Sequence, residues 1–278
     1  MTGVLASFRY LLLDLIGADD TPRPQVPAGL PPALHDLVAD AIARLVAYQG
    51  PGYAVLYLQR LRRFSRRRDV GEAMCAEIAR LMLVRMCYDD PIARAHRALC
   101  AAGADSAADT SVAVLLEDVV ACLPAPLLTI PVVGVDWSQW CRASKPLRFR
   151  ATRPWGRFGL RRLAGLRRWR LFSPRYARER AWVEHWLHMI DRGLTRQPAA
   201  VPEIVASATM IAGDGAGYRR GVADWCAIID GLVRPAFDRK LALPDIAAAM
   251  GEARAASDSP GGVAAAVETI RKRAAPSA

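Results

Sequence analysis

Two short patterns in the chain contain residue types that could hold a metal or a metal-dependent cofactor. The first, Gly213-Asp214-Gly215, matches the opening of the thiamine-diphosphate motif, in which the Asp and a later Asn bind a divalent metal. The chain contains no asparagine, and no strand–helix–strand pattern surrounds the triplet. We therefore interpret it as a glycine turn that ends a helix, and expect no cofactor site there.

The second pattern places Glu184, His185, His188 and Asp191 at intervals of one helical turn. Such spacing can present several metal ligands on one face of a helix. However, apolar residues such as Trp186 share the helix, and no distant group of histidines or cysteines offers the remaining ligands. A structural or solvent-facing histidine pair is therefore predicted instead of a metal site.

Other catalytic signatures are missing from the sequence. The six cysteines are widely spaced, so we expect reduced, buried and structural thiols. Acidic pairs such as Asp89-Asp90 and Glu117-Asp118 are adjacent, which points them apart on a helix. Neither a nucleophile elbow, a phosphate loop nor a dinucleotide fingerprint is present. The residues thus predict no catalytic, cofactor-binding or metal-binding site, although a site assembled across helices stays open as an alternative.

The positive charge of the chain is concentrated in one basic segment, residues 142–180. It holds fourteen Lys or Arg and a single acid, Glu179, so its net charge of +13 exceeds the +11 of the whole chain. Aromatic residues are interspersed among these cations, and arginine stems lie readily over such rings while the guanidinium stays in water. The side chains that we expect to contact a partner are Arg157, Arg161, Arg162, Arg167, Arg168, Trp169, Arg170 and Arg175.

Three interpretations of the basic segment stay open. It could be a solvated surface whose arginines pair with acids elsewhere in the fold. It could dock an acidic protein, because a field of one sign accelerates encounter and orients the partners. It could also bind nucleic acid or an anionic membrane surface, although no recognised nucleic-acid-binding motif is present. Charge alone does not distinguish these partners.

Apolar residues recur with helical spacing through most of the chain. Residues 17–32 contain five prolines, so we assign residues 1–33 to an N-terminal arm. Residues 127–137 are interpreted as an extended loop. Predicted helices begin near Leu34, Tyr53, Val70, Pro91, Ser111 and Pro174, and further helices cover 200–212, 217–234, 243–256 and 261–273.

This pattern predicts an all-α fold, a bundle of about eight to ten helices with a basic, loop-rich insertion at 142–180. Just over half of the residues are hydrophobic, which is typical of a globular chain, and the helical domain is predicted to cover 34–278. No apolar run is long enough to span a bilayer, and the N-terminus lacks the features of a signal peptide. A cytoplasmic location is therefore expected.

Four short motifs follow one another along the chain. They are Tyr48-Gln49 with Tyr53-Ala54 and Tyr57; residues 86–92 (MCYDDPI), which include Tyr88, Asp89 and Asp90; residues 166–170 (LRRWR) with Tyr176, Glu179 and Trp186; and Gly213, Gly215 and Arg220-Gly221. In this order and spacing they resemble the helical accessory domain of indolepyruvate:ferredoxin oxidoreductases and their beta-subunit relatives. The resemblance spans about residues 34–237.

The resemblance implies a non-catalytic helical domain or subunit of a 2-oxoacid oxidoreductase system. In that family, thiamine diphosphate and iron–sulfur clusters are carried by other domains, so we expect these cofactors in partner subunits and none in this chain. Oxidoreductase subunits or an acidic electron-carrier protein are the implied partners. The family's Lys, Tyr and Glu in the last motif are replaced here by Ala212, Asp214 and Arg219, which puts a polar role for that turn in doubt. The alternative function is independent binding of nucleic acid or an anionic membrane.

Overall fold

A computed structural model describes residues 22–104, 111–123, 146–213, 215–258 and 262–274. They form two compact units. Of the described residues, unit 1 contains those up to Arg66 and those between 82 and 181, and unit 2 contains residues 67–81 and those from Trp182 onwards. The proposed boundary between an arm at 1–33 and a helical domain at 34–278 stays a prediction.

The described residues are predominantly helical, which confirms the predicted all-α class. Unit 1 contains α1 (His35–Tyr48), α2 (Pro51–Ser65), α4 (Pro91–Ala104), β1 (Ser111–Val114), α5 (Leu116–Ala121), β2 (Leu147–Arg150) and α6 (Pro154–Gly165). Unit 2 contains α8 (Val201–Ala206), α9 (Gly215–Ile228), α10 (Arg234–Phe237), α11 (Ile246–Ala255) and α12 (Gly262–Ala274). Two helices, α3 (Glu72–Met86) and α7 (Pro174–Arg196), contribute residues to both units. Short 3-10 helices cover Pro32–Leu34, Leu166–Phe172, Pro198–Ala200, Ser207–Met210 and Ala256–Asp258, and Ile229–Val233 is π-helical.

A two-stranded antiparallel sheet in unit 1 differs from the sequence prediction. Strand β1 pairs with β2 in the register Val112↔Phe149 and Val114↔Leu147. The helix predicted from Ser111 was wrong for its first four residues, which alternate between exposed and buried as a strand does. The partner strand lies more than thirty residues farther along the chain, so no local hairpin signal announced the pairing.

The basic segment is more regular than the loop-rich insertion that was predicted. Its described part, residues 146–180, runs through β2, α6, the 3-10 helix Leu166–Phe172 and the first turns of α7. The segment is ordered in this way because two of its apolar residues, Leu160 and Leu163 of α6, pack into a small core with α4 and the sheet. Residues 142–145, and the loop predicted at 127–137, lie outside the described residues.

Two glycines allow α6 to lie directly on β2. A Cβ on Gly156 would come within 2.1 Å of the Arg150 carbonyl oxygen, and one on Gly159 within 2.6 Å of the Phe149 ring. Because real Cβ atoms do not approach other atoms so closely, any larger residue at 156 would separate the helix from the strand.

In unit 2, two tryptophans anchor the core through their indole nitrogens. Trp186 Nε1 donates to the Ile204 carbonyl at 3.0 Å, and Trp225 Nε1 donates to the Ser207 hydroxyl at 3.0 Å. The hydrogen bonds satisfy the only polar atom of each buried ring side chain. Gly221 of α9 is also required, because a Cβ there would lie 2.4 Å from the Met210 carbonyl oxygen.

None of the helices among the described residues is both long and apolar enough to cross a membrane.

Candidate functional site

Arg170 and Asp90 form a buried ion pair in unit 1. The Arg170 Nε donates to one carboxylate oxygen of Asp90 at 2.8 Å, and its Nη2 donates to the other at 3.0 Å. The Nη1 donates to the Tyr48 carbonyl at 2.9 Å and to the Gln49 side-chain oxygen at 3.0 Å. The guanidinium also lies 4.0 Å from the centre of the Tyr48 ring. A side chain only 1% exposed is thus held on every side.

The sequence positions these groups through helix ends. Asp90 caps α4, since its Oδ1 accepts from the Ala93 amide at 2.7 Å, and Pro91 occupies the first helical position. Ser173 caps α7 in the same way, accepting from the Tyr176 amide at 3.1 Å. Its hydroxyl donates to the Arg170 carbonyl at 2.7 Å, which ties the 3-10 helix to the start of α7.

A second buried ion-pair group adjoins the first through Tyr88. Arg85 Nη2 donates to Glu179 at 2.6 Å, and Arg175 Nε lies 3.2 Å from the other Glu179 oxygen. Arg175 also covers the Tyr88 ring at 5.6 Å. Asp90 and Glu179 therefore neutralise three arginines in one buried polar cluster: Arg170 and Arg85 come from distant parts of the chain, and Arg175 is one helical turn from Glu179.

Tyrosines surround both ion pairs. The Tyr48 hydroxyl donates to the Tyr88 carbonyl at 2.9 Å, and the Tyr53 hydroxyl donates to the Met86 carbonyl at 3.0 Å. Burial raises the pKa of Tyr48, Tyr53 and Tyr88 well above its usual value, and that of Tyr176 more moderately. These phenols stay protonated at neutral pH, and their arrangement is that of a structural network rather than of a general base.

A cleft of about 310 Å³ opens beside Arg170 on the outside of this cluster. It lies between α1, the start of α4, and the end of α6 with the following 3-10 helix. Four arginines and a histidine contribute to its walls, with small apolar residues between them. The lining residues are Arg44, Ala47, Tyr48, Cys87, Ile92, Ala93, His96, Arg97, Ala164, Arg167 and Arg170.

The cleft contains a thiol that is unsuited to nucleophilic chemistry. Burial raises the pKa of Cys87 to about 11, even though Arg44 and Arg170 act in the opposite direction. The buried Cys122, which does not line the cleft, has a pKa raised by burial to about 12. Thiolate is the reactive form, so both thiols behave as apolar side chains at neutral pH.

A second surface of unit 1, the arginine–aromatic surface, consists of the exposed side chains of α6 and the following 3-10 helix. Its four aromatic rings are unusually open to solvent: Trp155 is 85% exposed, Phe158 53%, Trp169 52% and Phe172 43%. Arg157, Arg161, Arg162 and Arg168 are its exposed cations. Arg162 lies 5.0 Å from the Phe158 ring centre, and the rings of Trp169 and Phe172 are 6.4 Å apart. Among the described residues no carboxylate pairs with these four arginines.

Three of the predicted partner-contacting arginines have other roles. The expectation that Arg170 and Arg175 lie on a docking surface is wrong, since both are buried in ion pairs. Arg167 is half-buried and donates to the Val46 carbonyl at 3.0 Å. Internal acids therefore absorb part of the positive charge, as the solvated-surface interpretation held, but only for the arginines that point inward.

A family of unknown function, DUF6537, matches residues 34–231, well over half of the 278 residues. The chain belongs to DUF6537. No curated protein and no solved structure matches the chain.

The buried polar cluster accounts for many of the motif residues in this DUF6537 chain. Seven motif residues belong to this cluster or contact it: Tyr48, Gln49, Tyr53, Tyr88, Asp90, Tyr176 and Glu179. Tyr57 is buried, whereas Asp89 lies at the surface and pairs with Arg97. Trp186 and Gly221 serve the core of unit 2, and Arg220 is exposed there.

The two patterns with possible metal chemistry lie in unit 2. Gly213 has a positive φ and follows the helical residues 201–210, as predicted, and Gly215, also with a positive φ, begins α9. Asp214 lies outside the described residues. His185 is edge-on to Trp225, and burial lowers its pKa, while His188 is exposed. Across the described ranges of this DUF6537 chain, no three His, Cys, Asp or Glu side chains converge as metal ligands would.

The cleft was not predicted from the sequence. Two groups of its lining residues do have the i, i+3, i+4 spacing that places side chains on one face of a helix: Arg44, Ala47 and Tyr48 on α1, and Ala93, His96 and Arg97 on α4. Each spacing places a cation beside a small residue on one helix face. Nothing in the sequence, however, indicated that these two faces meet.

Proposed function

We propose that this chain is a non-catalytic helical domain or subunit of an indolepyruvate:ferredoxin-type 2-oxoacid oxidoreductase, and that it docks an acidic protein through the arginine–aromatic surface. The family part of this proposal is supported by the order and spacing of the four motifs. In it, thiamine diphosphate and iron–sulfur clusters belong to partner subunits.

The docking part rests on one observation, the exposure of cations and aromatic rings together. Long-range attraction requires charge that is not already neutralised, and Arg157, Arg161, Arg162 and Arg168 have no carboxylate partner among the described residues. Tryptophan, phenylalanine and arginine are the residues most suited to the centre of a protein interface. A surface that only solvates the fold has no need of a tryptophan that is 85% exposed.

An acidic electron carrier or an acidic surface of a catalytic subunit fits this chemistry. Carboxylates of the partner would pair with the guanidinium groups, and its apolar side chains would cover Trp155 and Phe158. Because such charge pairs mainly accelerate association, binding should weaken as salt rises.

The decisive experiment measures binding of the full chain to a ferredoxin and to thiamine-dependent oxidoreductase subunits by isothermal titration calorimetry at low salt. We expect reversal of Arg157, Arg161, Arg162 and Arg168 to Glu to weaken binding at least tenfold. A matched control reverses four other exposed arginines, Arg62, Arg66, Arg196 and Arg271, and should change affinity much less. Absence of binding to every such protein, or equal effects of the two sets, would overturn the proposal.

A second candidate function, binding of single-stranded nucleic acid, is favoured by the exposed Trp155 and Trp169. Bases stack on such rings while arginines contact phosphates. This function predicts a steep decrease of affinity for mixed-sequence single-stranded DNA with rising salt, and loss of affinity in Trp155→Ala. No binding at low salt would exclude it.

A further inference from the structure

The cleft beside Arg170 has a composition that no structural role of the cluster explains. The buried ion pair requires only that Arg170 contacts Asp90, and Asp90 does not line the cleft. Three further arginines, Arg44, Arg97 and Arg167, nevertheless line the same cleft. A volume of about 310 Å³ is within the range of clefts that hold small molecules.

We propose that this cleft binds a small organic anion, a carboxylate or phosphate carried on a short apolar body. The inference stands apart from the docking proposal, because the cleft and the arginine–aromatic surface use different side chains and either could exist without the other.

The anionic part of the ligand is indicated by the charges that line the cleft. Four arginines and His96 contribute to the lining, and no carboxylate does. The acids that pair with the rim arginines lie outside the lining: Asp40 is 3.7 Å from Arg44, and Asp89 contacts Arg97. Both rim pairs are exposed, so a ligand anion can compete for these guanidinium groups at little cost to the fold.

Arg167 is held in place before any ligand arrives, because its Nη2 donates to the Val46 carbonyl at 3.0 Å. The Arg170 guanidinium is committed to Asp90, Gln49 and Tyr48, so it forms a fixed part of the wall, and recognition of the anion falls to Arg44, Arg97 and Arg167. Rigid guanidinium groups lose less side-chain entropy on binding than mobile ones, which favours recognition of a planar or tetrahedral oxyanion.

The apolar part of the ligand is indicated by the remaining walls. Ala47, Ile92, Ala93 and Ala164 offer small aliphatic surfaces, and the Cys87 thiol is neutral because burial raises its pKa. These groups would exclude a fully hydrated inorganic ion in favour of a ligand with some apolar surface. A metal cation is disfavoured by the same lining, because it would meet arginines and no carboxylate.

The test is isothermal titration calorimetry of the full chain with four probes: phenyl phosphate, 3-phenylpropionate, the neutral 3-phenylpropionamide and inorganic phosphate. At least one aromatic anion should bind, and the amide and inorganic phosphate should bind at least tenfold more weakly. Comparison of the two aromatic anions then distinguishes a phosphate-bearing from a carboxylate-bearing ligand. No heat from either aromatic anion, or equal binding of the amide, would overturn the proposal.

Two variants locate the binding. Ala47→Leu fills the cleft from an exposed helical position, and Arg44→Gln removes a rim charge whose only described ion pair is the exposed one with Asp40. Each should weaken binding at least tenfold while the melting temperature stays close to that of the wild type. Arg62→Gln, an exposed arginine of unit 1 that does not line the cleft, is the matched control and should leave the affinity unchanged. Undiminished binding in Ala47→Leu would show that the anion binds elsewhere and would sink the inference.

Discussion

Arg170 donates to both carboxylate oxygens of Asp90, a residue 80 positions earlier in the chain, and both side chains are almost fully buried. The pair joins the 3-10 helix Leu166–Phe172 to the start of α4. Because Asp90 also caps α4, one carboxylate both starts a helix and neutralises a buried cation. This double role gives Asp90 a structural task, whereas the adjacent Asp89 lies at the surface.

Replacing Asp90 by Ala should strongly destabilise unit 1. The change leaves the Arg170 guanidinium buried without its counterion and removes the α4 cap, so the free energy of unfolding should fall by about 3–5 kcal/mol. The adjacent Asp89→Ala is the control, because that carboxylate is largely exposed and its loss should cost no more than about 1 kcal/mol. Urea denaturation followed by circular dichroism measures both. Similar losses in the two variants would show that the Asp90–Arg170 pair stabilises the fold no more than the exposed Asp89 does.

Gly156→Ala should destabilise unit 1 by about 1–3 kcal/mol, because the new Cβ would overlap the Arg150 carbonyl and push α6 away from β2. Gly165→Ala is the matched control in the same helix. Its Cβ would meet no atom within 4 Å, and its backbone is already helical, so stability should stay equal or rise slightly. Thermal denaturation of the two variants distinguishes a close approach from a general effect of glycine replacement.

Unit 2 offers an analogous comparison. Gly221→Ala should be destabilising by about 1–3 kcal/mol, since the Cβ would lie 2.4 Å from the Met210 carbonyl oxygen. Gly251→Ala, in the middle of α11 with open space around it, should instead stabilise by about 0.5–1 kcal/mol through helix propensity. Opposite signs in a chemical denaturation experiment are the expected outcome, and two losses of equal size would speak against the packing described for Gly221.

The cysteines should differ sharply in reactivity. Burial raises the pKa of Cys87 to about 11 and that of Cys122 to about 12, so almost no thiolate forms at either site near neutral pH. Cys100 is exposed. Limited alkylation with iodoacetamide, followed by peptide mass spectrometry, should therefore modify Cys100 before Cys87 and Cys122. Fast labelling of Cys122 in the folded chain would show that it is not buried.

The same burial predicts loss of stability in alkali. Cys122 ionises more readily in the unfolded chain than in the folded one, so the unfolded state binds fewer protons as pH rises. The raised pKa of Cys122 adds to the free energy of unfolding in full below about pH 8.5, the pKa of a cysteine in the unfolded chain. This added stability is lost as the pH rises toward about 12, the pKa of Cys122 in the folded chain. The raised pKa values of the buried tyrosines act in the same direction. Denaturation midpoints should fall across this range, and less steeply in Cys122→Ala.

Local sequence patterns predicted a helix boundary correctly where that boundary depends on the residues beside it. Pro91 and Pro174 each mark the first position of a helix, as predicted, and the break at Gly50 lies where α1 gives way to α2. The strand β1 could not be predicted in this way. Its four residues make sense only beside β2, and a short alternation of apolar residues resembles part of a helix when its partner is unknown.

The sequence by itself determined that the chain is helical and that its positive charge lies in residues 142–180, because periodicity and charge are properties of the order of residues. Only the tertiary structure decided which arginines are free to act. Arg170 and Arg168 are two positions apart and chemically identical, yet one is buried against Asp90 and the other is exposed. The physical reason is that desolvation and pairing depend on atoms brought from distant parts of the chain, and no local pattern records where those atoms meet.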